Sequence, residues 1–562
     1  MKKIITFILC FVTVNIFAQQ PVGSHIRSMA EWEEVQAFCV SWKPSDTEIK
    51  KNLIDIIKAA KSQCRVMIMT STPATVQTEL NNANVDTNNI SIVTSNVDRI
   101  WVRDYGPNSV YLNSVDSLVM LDWKYNRNRP SDDTVVPKKI ANFLNIPFIK
   151  NSIAPFDLVN TGGNYMTDGL GTAFASKLIL DENDGIGDNI PTTPKTEPEV
   201  DAIMKNFMGI SRYVKMEILP YDLIHHIDMH MKLLDEETLL VGQYPDGVAD
   251  GPQIEANLQY VLSQKMSVFG TPYRVVRIPM PPDAGGSFPD SNGDYRTYAN
   301  ASFVNKSILV PFYEQKYDTV AQRIWQENMP GYQIIGINNC NSIITQSGAV
   351  HCITKEIGVT NPLLIVHQRL RDVTVSKPQG YSVNATIKHK SGVSEATIWY
   401  KTSLNGNYLP LAMNITDATN NIWSGTIPEQ INGTSVYYYI AAVSTSGKQI
   451  ARPMPAPEGY WKFKILISNS ANEIEKAPQM LDIYPNPASS ITCIPVISGV
   501  ETYSKINLKD ILGRDVETIF EGRIPVGESR YFLHAERYAA GVYFVTFSAN
   551  SGKIWTQKLV IR

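Results

Sequence analysis

The sequence predicts a mixed α/β fold for residues 21–372, followed by two smaller all-β regions. In the first part, short β-branched runs alternate with amphipathic helical patterns. Past Arg371 the helical patterns stop, and strand-like segments separated by turn signals take over. At 562 residues the chain is also too long for one compact core, and length alone favours roughly three or four domains.

The chain opens with Lys2 and Lys3 and an apolar stretch over 4–17, too short for a confident bilayer span. This reads as a signal peptide over 1–18, cleaved after Ala18, although Ile16 departs from a strict small-x-small pattern. An uncleaved anchor is the alternative. No later segment is apolar enough to cross a membrane, so export is expected. Cys10 leaves with the signal. Cys39, Cys64, Cys340, Cys352 and Cys493 remain, an odd number without regular spacing, which is not a disulfide framework. The net charge of -3, with no basic run, gives no reason to expect nucleic acid.

Strands are expected over 65–70, 90–94, 118–125, 273–279, 307–313 and 332–337. Helices are expected over 47–62, where Leu53, Ile56, Ile57 and Ala60 share a stripe, and over 252–266, where Ile254, Leu258 and Leu262 align. No Gly-rich loop follows any strand, so a nucleotide fold lacks its fingerprint. Residues 373–466 carry the turn signals Ser403-Leu404-Asn405-Gly406 and Ile431-Asn432-Gly433, and the run 436–443 contains three consecutive tyrosines. This spacing predicts a small, immunoglobulin-like β-sandwich. A polar linker follows over 467–480.

The last segment, 481–562, starts with Tyr484-Pro485-Asn486-Pro487 and carries Leu512-Gly513-Arg514. It closes with Gly541-Val542-Tyr543-Phe544-Val545 and Lys558-Leu559-Val560-Ile561-Arg562. It resembles the C-terminal sorting domain of the type IX secretion route of Bacteroidetes. The resemblance implies the type IX machinery as a partner, and a secreted or cell-surface location. A second adhesive β-domain is the alternative.

Four separated residues suit chemistry on an arginine side chain. Its guanidinium is planar and cationic at every biological pH. Two carboxylates can hold its edges by paired hydrogen bonds, a thiolate can attack its central carbon, and a histidine can move the protons. Cys352 in Gly348-Ala349-Val350-His351-Cys352 supplies the thiol. His226 and Asp228, two apart, share one face if their segment is a strand. Asp104 is placed in a polar loop after Trp101, whose ring offers a flat wall. Each has a bland alternative: Asp104 as a surface partner of Arg103, Cys352 as a small buried hydrophobe.

The motifs Glu31-Trp32-Glu33, Trp101-Val102-Arg103-Asp104-Tyr105, Thr161-Gly162-Gly163-Asn164-Tyr165-Met166-Thr167-Asp168-Gly169 and His351-Cys352 resemble the guanidine-modifying superfamily. More narrowly they are similar to the secreted, Porphyromonas-type peptidylarginine deiminases, relatives of the agmatine deiminases. This implies a five-bladed α/β-propeller with the site on its axis. Carried over, Cys352 is the nucleophile, His226 the acid/base, and Asp104 and Asp228 the guanidinium clamp. Trp101 and Asn300 join the substrate-binding set. The resemblance gives Arg127 and Arg129 the α-carboxylate of a C-terminal arginine. In an extended segment the two would share a face. Asn128 stands where the family has proline, and Leu223 where it has tyrosine.

The expected activity is hydrolysis of peptide or protein arginine, preferentially at a C-terminus, to citrulline and ammonia, without a cofactor. Agmatine or free arginine is the alternative substrate, and a non-catalytic adhesin or arginine-binding module the other class. A zinc site from His226, Asp228 and His230 is a competing reading. Oxygen-rich loops at 181–185 and 290–294 raise structural calcium, though neither has the EF-hand pattern.

Overall fold

A computed structural model describes residues 25–127, 133–186, 190, 192–374, 376–466, 478–525, 527–550 and 552–562. The signal peptide, Arg129 with its neighbours 128–132, and most of the 467–480 linker lie outside the described residues.

Among the described residues, the first part of the chain builds five sheets on one plan: an antiparallel pair, then a helix, then a strand parallel to its predecessor. In one, Met231–Asp235 pairs antiparallel with Thr238–Gln243, and helix Gly251–Gln264 leads to Arg274–Pro279, parallel to it. Ser302–Val304, Ser307–Pro311, helix Gln315–Asn328 and Gln333–Ile337 repeat the pattern. So do Met166–Thr167, Thr172–Ser176, helix Glu197–Met208 and Arg212–Met216. Asn108–Leu112, Ser117–Asp122 and Phe148–Lys150 form the fourth, with Ile26–Ser28 added at its edge. In the fifth, Val35–Ser41, Arg65–Thr70 and Ile90–Thr94 run parallel. Their antiparallel partner is Lys355–Gly358, from the far end of this region.

Local chemistry explains the elements. Helix Thr47–Ala60 starts where the Asp46 carboxylate accepts the Ile49 N–H at 2.8 Å. It buries Ile49, Leu53, Ile56 and Ile57 completely, each worth about 1.5–3 kcal/mol relative to exposure. The strands expected at 65–70 and 90–94 are found at those residues. The one expected over 118–125 ends at Asp122, after which Lys124 bridges to Val159 instead.

Two all-β regions follow. Tyr381–Lys388 and Val393–Lys401 lie in facing sheets that share a core of Val383, Ala385, Ile398 and Ile440. Leu364–Val366 already belongs to the first of these sheets. Along Ser435–Ser444 burial alternates strictly, hiding Tyr438 and leaving Tyr437 and Tyr439 half-buried. The last region again has two sheets, around Ile494, Ile506, Phe547 and Leu559. Its Ile491, Cys493 and Phe532 pack into the α/β core instead. Among the described residues no helix is long and apolar enough to cross a membrane.

Candidate active site

The chain segments carrying the site are stapled together by buried polar bonds. Asp104 lies in a short helix, Val102–Tyr105, and not in the expected loop. Its neighbour Arg103 is buried and donates to both Glu356 carboxylate oxygens, at 3.1 and 2.6 Å. Arg103 also reaches the His351 carbonyl through Nε (3.2 Å) and the Cys352 carbonyl through its backbone N–H (3.1 Å). This arginine therefore ties the Asp104 turn to the Cys352 turn.

His226 and Asp228 are not on a strand. His226 caps a 3-10 turn, Ile227–Met229. The preceding residue, His225, sits in the left-handed region (φ 57°), pinned by Ser176 Oγ donating to its carbonyl at 2.6 Å. That turn redirects the chain, and the two side chains converge without a strand's alternation.

Asn300 is fully buried. Its Nδ2 donates to Cys352 Sγ (3.2 Å) and to the Asp228 carbonyl (3.3 Å). Its Oδ1 accepts the backbone N–H of His351 (3.0 Å) and of Cys352 (3.4 Å). It holds the Cys352 turn and is absent from the lining of the cleft. The cleft, ≈ 130 Å³, is walled by Trp101, Asp104, Tyr125, Ile224, His226 and Cys352, with Arg99 and Arg127 also bordering it. Trp101 closes over Gly348, where an added Cβ would lie 2.5 Å from the ring.

The electrostatics separate the two carboxylates. Burial raises Asp104 above its ordinary range; His226, at 3.7 Å from its Oδ1, pulls it back and Asp228 adds to the rise. Gly163 N–H also donates to Asp104 Oδ1, at 3.3 Å. Burial works against the charge on Asp228 as well, but the hydrogen bond and charge of His351, with His226 and Arg103, hold it below the usual range. Asp228 Oδ2 takes His351 Nδ1 at 2.7 Å and the Cys352 thiol at 3.6 Å, while its buried Oδ1 has no partner. Burial, then Asp228 and Asp104, push the Cys352 thiol far above its normal value. Two carboxylates facing a thiol disfavour a second anion, and a cation placed between them would relieve all three.

Gly163 keeps that space open. A Cβ there would lie 2.5 Å from His226 Nδ1, 3.1 Å from Asp104 Oδ1 and 3.2 Å from Asp228 Oδ2. The sequence showed it only as part of a motif. Glu31, Lys232 and His351 were likewise passed over as site residues. The His351 ring spans Asp228 and Glu31 Oε1 (3.0 Å), and Lys232 bonds Glu31 Oε2 at 2.7 Å.

The sequence model of the Porphyromonas-type peptidyl-arginine deiminases matches residues 27–357, more than half of the chain. The chain belongs to this family. Residues 482–562 match the secretion system C-terminal sorting domain, which marks a type IX cargo that is secreted or held at the cell surface. A Vibrio parahaemolyticus protein provisionally named an agmatine deiminase is 24% identical over 290 residues, 46% of this chain and 75% of its own. Two solved structures share the fold of the α/β region. A Porphyromonas gingivalis protein provisionally named an arginine deiminase has TM-score 0.50 and 20% identity, covering 59% of this chain and 98% of that one. The agmatine deiminase of Enterococcus faecalis has TM-score 0.51 and 17% identity, covering 60% and 99%. Family membership makes the protein a guanidino-group deiminase, a hydrolase of C–N bonds.

Of the other expected residues, Arg127 is exposed at the mouth of the cleft, its Nη1 donating to the Asn126 carbonyl at 3.4 Å. Arg129 lies outside the described residues. Neither ring nitrogen of His230 has a partner, and burial brings the ring down to about 4. Among the described residues no three His, Cys, Asp or Glu side chains are grouped to hold a metal ion.

Proposed function

We propose that the protein deiminates arginine in peptides, with preference for a C-terminal arginine, and that Cys352, His226, Asp104 and Asp228 perform the chemistry. The observation that carries this reading is the gap preserved by Gly163 between two carboxylates and a histidine, beside a buried thiol. A planar cation is the ligand that such a gap suits. The five sheets are read as the blades of a propeller around this cleft. The domains are taken as 21–372, the immunoglobulin-like sandwich over 373–466 with the added strand Leu364–Val366, and the sorting domain from 481.

The substrate guanidinium enters between Asp104 and Asp228. Its charge lowers the cost of ionising Cys352, whose proton passes to His226. Sγ attacks the central carbon and a C–S bond forms. The tetrahedral adduct breaks its C–N bond as His226 returns the proton to the departing nitrogen, releasing ammonia. Water, deprotonated by the now neutral His226, attacks the thiouronium carbon. The C–S bond breaks, citrulline leaves and the thiol is restored.

Arg127, with Arg129 two residues on, supports a carboxylate-bearing substrate. The names of the curated relatives favour agmatine as a second reading. Citrulline or carbamoyl-product formation from a peptide ending in arginine, the same peptide with internal arginine, free arginine and agmatine separates them. The terminal peptide should give the highest kcat/KM. Equal turnover of internal arginine, or faster turnover of agmatine, overturns the terminus preference.

A further inference from the structure

Asp228 has one committed and one free oxygen, and the commitment runs to residues outside the reaction sequence above. His351 Nδ1 lies 2.7 Å from Asp228 Oδ2, and its Nε2 lies 3.0 Å from Glu31 Oε1. Glu31 Oε2 is bonded to Lys232 at 2.7 Å. His351 and Lys232 are both at least 96% buried. A carboxylate can only accept, so two ionised partners require a proton on each ring nitrogen. Glu31, although buried, is held well below its normal range by His351, then Lys232 and Arg103, and Asp228 is held low as well. Glu31 is bonded independently by the Lys232 ammonium, which favours its ionised form, and this geometry assigns both ring protons to the imidazole.

We propose that His351 is an imidazolium strut anchored by Glu31 and Lys232, a positioning residue that fixes Asp228 through Oδ2, the oxygen that faces the Gly163 gap and the Cys352 thiol. The proposal rests on the deiminase reading and assigns Glu31, His351 and Lys232 to substrate alignment. An unclamped carboxylate could rotate Oδ2 out of the Gly163 gap and off the plane of the guanidinium. One held by a charged donor at 2.7 Å has its orientation set before substrate arrives. His351 is itself fixed from the helix Val102–Tyr105 by Arg103, which bonds its carbonyl and is paired with Glu356, and by Asn300 on its backbone N–H. Its charged surroundings are thus Asp228, Glu31, Lys232, Arg103 and Glu356, with Lys355 behind, itself lowered to about 8 by burial and Arg103.

Two measurements on the full-length chain test this. First, nitrogen-15 NMR of histidine-labelled wild type, with His351 identified by the signals that Glu31→Gln perturbs, should show both ring nitrogens protonated at pH 8. A neutral ring there overturns the proposal, without any substrate being needed. Second, Glu31→Gln and His351→Gln should raise KM at least about tenfold with a smaller change in kcat. Unchanged KM in a folded Glu31→Gln enzyme overturns it too. A wild type that consumes no guanidine compound would overturn the deiminase reading instead, leaving the NMR result to judge the strut.

Discussion

The floor and the rim of the cleft are built to different rules. On the floor Cys352 and His226 are 2% and 3% exposed, Asp228 next to the thiol is 5% exposed, and buried atoms around them are tied to one another across the chain. At the rim Arg127 is exposed, with one long bond to the neighbouring carbonyl. A floor of this kind has its geometry set during folding, so little ordering remains when substrate binds. An exposed arginine is ordered only by its ligand, which limits what it adds. On the proposed function, the chemistry would be held rigidly and substrate choice left to side chains that adapt.

This contrast can be broken at its strongest point first. Cys352→Ala should abolish ammonia release, a fall of about 10⁴-fold or more; measurable turnover would place the nucleophile elsewhere. Gly163→Ala puts a methyl where the guanidinium is expected, and should cut kcat/KM by about 10²–10³-fold with a smaller effect on thermal unfolding. Equal losses of activity and stability would mean that the glycine serves the backbone alone.

Asp104→Asn should cost about 10–100-fold, mostly in KM. Asp104 is raised by burial and must be ionised to hold a cation. Activity of the wild type should therefore fall, as pH drops, at a higher pH than an ordinary aspartate would give, and the variant should lose that limb. The smallest effect belongs to the rim. Arg127→Gln should weaken terminal-arginine peptides by about tenfold or less and leave agmatine unchanged, as competition kinetics would show.

How far the sequence could be read follows the same division. The helix from residue 47 follows from periodicity, because burial on one face imposes it, whereas the strand at 65–70 is buried on both faces and is legible as a short continuous apolar run. The thiol, the histidine and the two carboxylates were readable from residue type and motif. The shape of the 226–228 segment was not, because it depends on a left-handed His225 held by Ser176, a residue 49 positions away. Glu31 was quoted only as a motif letter, since its partner His351 is 320 residues distant and nothing local marks the pair. Asn300 was expected to touch substrate and instead supports the Cys352 turn, a distinction that needs three dimensions.

The strand Lys355–Gly358 lies just after Cys352 and pairs with Val35–Ser41. Synthesis runs from the other end, so the open edge of that first sheet waits until residue 358 has emerged. Glu356 in this strand is bonded by Arg103, which also reaches the His351 and Cys352 carbonyls, so the seam that closes the sheet holds the Cys352 turn to the Asp104 turn. A chain cut short before residue 351 lacks the Cys352 turn, and one cut before 355 leaves the edge of Val35–Ser41 unpaired.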